Sequence, residues 1–282
     1  MEFKDGRAAV DSMRCMEIRG GSRAVEEAFD APGLDEWVYS RPHESSRGGG
    51  GDVHYLSLCG GGIVSRLILA DISGHGSAVA EVAVALRSLL KKNINVKNQA
   101  HLVRDLNRQF AEVARIEQFA TAVVATYLAT DRTLTICNAG HPRPLRRRAE
   151  AGVWDYLGQT SGEVGNLPWG LDDDSPYHQY QVAFGVGDIV LFYTDALIEA
   201  ADPSGRQLGE DGLLALARTL KDPDEVHVGQ ALIEAVTRHR GGLDAEDDVT
   251  LVAWRHNATG PRHPSIPEKI ETYAKVFGLR DY

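Results

Sequence analysis

The chain has 282 residues, 43% hydrophobic and 25% charged, with a formal net charge of −10. This length and balance suit one medium globular domain with extensions, with enough apolar residues for a core that needs no disulfide staples. The acidic balance argues against a nonspecific nucleic-acid binder, and no apolar run reaches the roughly 18–20 residues that would span a bilayer.

Cys15, Cys59 and Cys137 are an odd number of cysteines with no metal-ligand spacing, which fits a reducing compartment. The first ten residues, MEFKDGRAAV, lack the apolar core of a signal peptide. Together these features predict a cytoplasmic protein.

Residues 1–45 read as an N-terminal extension. GGSRAVEEAF suggests a short helical piece, and a Pro-Gly break separates it from an apolar patch of Leu34, Trp37, Val38 and Tyr39. That patch is expected to pack on the edge of the domain. The domain itself is assigned to 46–256. It opens with the glycine run before Asp52 and a β-hairpin made from VHYLSL and IVSRLILA.

Val79, Val82, Leu86 and Leu90 recur at helical spacing over 77–92. Leu102, Leu106, Phe110 and Val113 do the same over about 100–115. TAVVATYLAT and TLTICNAG form a second strand pair, followed by a long loop carrying Pro142, Pro144 and the arginines Arg143, Arg146, Arg147 and Arg148. These arginines read as a solvated loop, with a docking patch for an acidic partner as the alternative.

Strands are predicted at 179–184 and 188–193, helices at 211–220 and 226–240, and a last strand at 249–255. Residues 257–282 form a tail. Hairpins dominate and strict strand-helix alternation is missing, so the fold class is α+β, with antiparallel sheet and segregated helices.

Aspartates stand at strand ends. Asp52 opens the first strand of the hairpin and Asp71 closes the second. Asp195 follows IVLFYT, and Asp247 and Asp248 precede VTLVAW. In antiparallel sheet such ends can lie side by side. Carboxylates brought together repel unless a cation neutralises them, and hard divalent ions with oxygen ligands, Mn²⁺ or Mg²⁺, are the natural partners. Two such ions can bind phosphate oxygens and activate water for in-line attack.

GGGGD, ADISGHG, FATAVVATYLA, NAGHPRPL, GDIVLFYTDALIEA and EDDVTLVAW occur in this order between about residues 48 and 255. The series resembles the bacterial PPM phosphatases of the SpoIIE and RsbU branch, relatives of protein phosphatase 2C. The resemblance implies a sandwich of two antiparallel β-sheets flanked by helices, with metals at one end. It implies a metal-dependent serine/threonine phosphatase that uses metal-activated water. Asp52 and Asp71 would serve catalysis and metal binding, with Asp71 bridging. The carbonyl of Ile72, Asp195 and Asp247 would be further ligands, and Asp248 an additional candidate.

His75 is a candidate general acid, or a turn residue that caps the next helix. Glu199 is a candidate neighbour of the ligands, and His141 is expected to be structural. Ala196 stands where relatives usually have glycine, and Val53, His54, Tyr55 and Leu56 stand where many relatives carry a second acidic residue. The resemblance also implies a phosphorylated protein substrate, such as a STAS-type anti-sigma-factor antagonist. The helices over 77–115 would be a switch or dimer surface for an activating partner or second copy. The competing reading is a catalytically silent phosphatase-like module that binds a phosphoprotein.

Overall fold

The computed structural model describes residues 10–13, 17–43, 50–59, 62–74, 77–93, 96, 98–114, 118–158, 165–220 and 224–260. The candidate His75, residue Cys15 and residues 261–282 of the tail lie outside these residues.

The strands in chain order are β1 (Val10–Ser12), β2 (Glu17–Gly21), β3 (Val25–Ala31), β4 (Leu34–Arg41), β5 (Asp52–Cys59) and β6 (Val64–Ile72). After helices α1 (Ser77–Asn93) and α2 (Gln99–Val113) come β7 (Ala120–Leu128), β8 (Thr133–Ala139), β9 (Leu145–Arg148), β10 (Val153–Tyr156), β11 (Tyr180–Ala183) and β12 (Ile189–Tyr193). A 3-10 turn (Asp195–Leu197), α3 (Gly209–Thr219), α4 (Glu225–His239) and β13 (Val249–His256) complete the order.

Among the described residues these strands make two sheets. One runs β1-β3-β4-β13-β12-β9-β10, the other β11-β8-β7-β6-β5-β2. All pairings between these strands are antiparallel except β1 with β3. The expected α+β sandwich is present.

Period-two alternation sorts the side chains of each strand between two cores. On β6, Leu67 and Leu69 point into the inter-sheet core with Val38, Phe192 and Trp254, while Ile68 and Ala70 join Val82, Leu86, Leu106 and Phe110 under α1 and α2. On the other sheet, Trp37, Leu191 and Leu251 pack against Leu213, Val228 and Leu232 of α3 and α4. Both faces of each sheet are thus covered. That explains why β12 is apolar throughout and buried at every position.

Helices α2 and α4 begin on side-chain caps. Asn98 accepts from the His101 N–H (3.0 Å) and Asp224 from the His227 N–H (2.8 Å). None of the helices among the described residues is long and apolar enough to cross a membrane.

The segment before residue 46 differs from its expectation. GGSRAVEEAF is not helical: Val25–Ala31 is a strand, and Pro32-Gly33 turns it into β4. β4 lies inside its sheet between β3 and β13, β2 pairs with β5, and Leu34, Trp37 and Val38 are buried rather than laid on an edge. The cause is tertiary: pairing of Val25–Ala31 with β4, itself held on its other side by β13, outweighs the helical propensity of two glutamates and two alanines.

The arginine segment also differs. Leu145–Arg148 is a strand, held by cross-strand pairing of Arg146 with Asp155 on β10.

Candidate active site

The β5–β6 register sets Asp52 directly opposite Asp71, and Asp71 in turn lies opposite Thr121 of β7. On the facing sheet Tyr193, the last residue of β12, pairs with Leu251 of β13. Asp195, just beyond that strand end, and Asp247 and Asp248, just before β13, therefore share one end of the sheet.

A buried polar chain joins the two sheets here. The Thr194 hydroxyl donates to Asp52 Oδ2 (2.8 Å), and the Thr250 N–H donates to Thr194 Oγ1 (3.0 Å). The hydroxyls of Ser40 and Thr250 are also bonded (3.0 Å). Thr194 and Thr250 are fully buried, so each bond satisfies groups that water cannot reach.

The electrostatics show the convergence. Asp52 is buried, and burial followed by the charge of Asp71 pushes its pKa well above the ordinary carboxylate range. Asp71 is pushed up to about 7 by burial and then by the charges of Asp195, Asp247, Asp248 and Glu199. Asp195 is raised by burial and then by Glu199 and Asp247. The four expected aspartates and Glu199 thus act on one another.

Among the described residues, however, no three Asp, Glu, His or Cys side chains are gathered closely enough to form a cage around one ion.

Asp248, the additional candidate, is engaged with backbone. Its Oδ1 accepts the His43 N–H (2.6 Å) and its Oδ2 accepts the Gly51 N–H, while its own N–H donates to Asp247 Oδ1 (2.7 Å). Both carboxylate oxygens are thereby turned onto backbone, fixing the loop that delivers Asp52. A Cβ on Gly50 would fall inside the Asp248 carboxylate, and one on Gly51 would sit 2.9 Å from the Ile72 carbonyl and 3.4 Å from Asp71 Oδ1. The two glycines leave the oxygens of Asp71 and Ile72 uncovered on that side.

The candidate donors, the carboxylates of Asp52, Asp71, Asp195 and Asp247 with the Ile72 carbonyl, are all oxygens. This set suits a hard divalent cation, and their mutual charge is what such a cation would neutralise.

Other candidates resolve locally. Among the described residues only Arg132 and Ala258 are non-glycine residues with positive φ, so Ala196 stands in its turn without the strain that glycine would relieve. Glu199 is exposed on the turn after Asp195, with its N–H bonded to the Asp195 carbonyl (2.8 Å). His141 is buried, bonded through Nδ1 to Thr121 (2.9 Å) and through its backbone to Asn138. Burial pushes its pKa down to about 3, so it stays neutral.

Three of the four arginines after Pro142 are engaged within the chain. Arg143 pairs with Glu210 over the Tyr156 ring, and Arg146 and Arg148 share Asp155. The residues that sequence reading missed are Thr194, Thr250 and Ser40. A threonine inside a fully apolar strand context was the available signal.

A family model described as stage II sporulation protein E (SpoIIE) matches residues 64–257. This chain belongs to the SpoIIE family. The match begins within β6, so Asp52 precedes it.

RsbP, a phosphoserine phosphatase of Bacillus subtilis, is 25% identical over 138 residues, 47% of this chain and 33% of RsbP. The chain thus spans about a third of that relative's length. The RsbU and RsbW domains of Rv1364c from Mycobacterium tuberculosis align at 26% identity with a TM-score of 0.69, covering 88% of this chain and 70% of that one. RsbX in complex with magnesium aligns at 18% identity with a TM-score of 0.60, covering 82% and 99%. The sandwich is the fold of PP2C-type phosphatases.

Proposed function

We propose that this SpoIIE-family chain hydrolyses phosphoserine or phosphothreonine on a regulatory protein, with Asp52, Asp71, Asp195 and Asp247 and the Ile72 carbonyl holding two or more Mn²⁺ or Mg²⁺ ions. The observation that carries the reading is the register of Asp52 against Asp71, with the charges of Asp195 and Asp247 bearing on Asp71. Magnesium in RsbX, which shares the fold, supports the choice of ion class.

When bound, the ions would polarise the phosphate and lower the pKa of a water. The chain's own residues do the positioning. Thr194 turns Asp52 by bonding one of its oxygens. Asp248 holds the Gly51 backbone, and the glycines admit a phosphorylated side chain close to the acidic end.

The likeness to RsbP and to the RsbU–RsbW protein supports a substrate of the partner-switching type, a small phosphorylated STAS-type antagonist. The reading places the reaction in the cytoplasm, a reducing compartment that suits a chain with an odd number of cysteines.

The test is phosphate release from a phosphoserine peptide, from a phosphorylated STAS protein and from a nucleotide, each with Mn²⁺. Release from the phosphoprotein above all supports the reading. Preference for the nucleotide overturns the substrate class. Tight phosphoprotein binding without release, in any metal, points to a silent binding module.

A further inference from the structure

A cleft of about 640 Å³ opens at the edge of the sandwich, where β2, β3 and α1 meet, and no residue of the acidic site lines it. Its size is that of a small-molecule site. In a chain of net charge −10, its wall carries Arg19, Arg23 and Arg87 against a single glutamate, Glu27.

Arg19 is held in place by Glu17 (2.7 Å), which pairs its charge, and by the face of Phe29, 4.8 Å from the ring centroid, so it forms a fixed part of the wall. Arg23 and Arg87 are exposed at the opening, and Arg87 makes one long bond to the Ile18 carbonyl (3.4 Å). Apolar surface adjoins this charge: Val84 on α1 is 68% exposed and borders the cleft.

The inner wall holds an unspent polar group. His54 lines the cleft, is 4% exposed, and its Nδ1 has no hydrogen-bond partner among the described residues. A buried polar atom of that kind costs free energy until something bonds it.

We propose that this cleft is a binding site for a small amphipathic anion, one with a phosphate, sulfonate or carboxylate head and a flat apolar body. The head meets Arg23 and Arg87, and the body lies along Val84, with His54 behind it in the inner wall. The site stands apart from the proposed chemistry but touches the loop that serves it. Ser22, in the cleft wall, accepts the Gly50 N–H (3.0 Å), and Gly50 abuts Asp248.

The probe is 8-anilinonaphthalene-1-sulfonate, titrated into the full chain at low salt and followed by fluorescence and calorimetry. Saturable one-to-one binding is expected. Arg23→Gln with Arg87→Gln should weaken it by roughly tenfold or more, the loss of charge-assisted contacts. Val84→Glu, which sets a negative charge at the opening, should weaken it likewise. All these positions are exposed, and unchanged melting curves establish that the variants fold. Asp71→Asn should bind the probe as wild type does, whether or not the chain is a phosphatase. Unsaturable binding, wild-type affinity in both cleft variants, or loss of binding in Asp71→Asn would each overturn the site.

Discussion

Thr194 reaches from the end of β12 to Asp52 at the start of β5 and donates its hydroxyl across 2.8 Å, tying the two sheets together at the acidic end. The same oxygen accepts the Thr250 N–H, so one hydroxyl sets both a carboxylate and a strand end.

Thr194→Val should therefore keep the fold and lower kcat/KM by about 10- to 100-fold, the usual cost of removing a group that orients a ligand. The Mn²⁺ concentration for half activity should rise in step. Stability should fall by about 1–3 kcal/mol because the Thr250 N–H is left buried and unpaired. Thr194→Ser should restore most of both. Metal titrations of the three proteins check this, and equal half-activation concentrations would contradict it.

Gly50→Ala should disturb the site more than Gly51→Ala. The Gly50 methyl would displace the Asp248 carboxylate, and with it the bonds to Gly51 and His43, whereas the Gly51 methyl meets the Ile72 carbonyl at 2.9 Å. Side-by-side melting curves and turnover decide the order, with a loss of about 1–3 kcal/mol expected for Gly50→Ala, typical of overpacking.

Gly229→Ala in α4 tests packing far from the chemistry. An alanine usually helps a helix interior by about 1 kcal/mol. Here the added Cβ would fall on the buried ring of Trp37, so the variant should melt lower than wild type with turnover per folded molecule unchanged.

Glu36 sets a pH dependence. It is buried, and burial raises its pKa from 4.5 to about 8. Below pH 4.5 both folded and unfolded chains hold the proton and Glu36 contributes no pH dependence. Between 4.5 and about 8 the unfolded chain ionises while the folded one keeps its proton, so stability falls as pH rises, by at most about 1.4 kcal/mol per unit. Above about 8 the loss levels off. Glu36→Gln should flatten this slope. Denaturation in chelator at pH 5.5, 7 and 8.5 compares the two proteins, and parallel slopes would contradict the assignment.

Much of this was legible in the sequence where the cause is local. The β5–β6 hairpin and α1 follow from short-range pattern, and Asp52 and Asp71 announce themselves at strand ends because a hairpin register is a local matter. What stayed hidden is strand pairing and side-chain contact that the letters do not declare, whether across a short turn or far along the chain. VEEAFDA reads as helix until β4 pairs with it, and Arg146 to Arg148 read as loop until Asp155 is found opposite. The bond from Thr194 to Asp52 spans 142 residues, and no spacing rule reaches that far. The double duty of Asp248 was likewise invisible, since a carboxylate that fixes backbone and one left free for an ion look the same in a string of letters.

The most direct test of the central claim is hydrolysis of a generic aryl phosphate by the purified chain with Mn²⁺, with Mg²⁺ and with EDTA, beside Asp71→Ala. The account predicts turnover that requires a divalent ion and disappears in Asp71→Ala, while that variant melts no lower than wild type in chelator, because removing one of several crowded charges relieves repulsion. Wild-type turnover in Asp71→Ala, or turnover that survives EDTA, would contradict it.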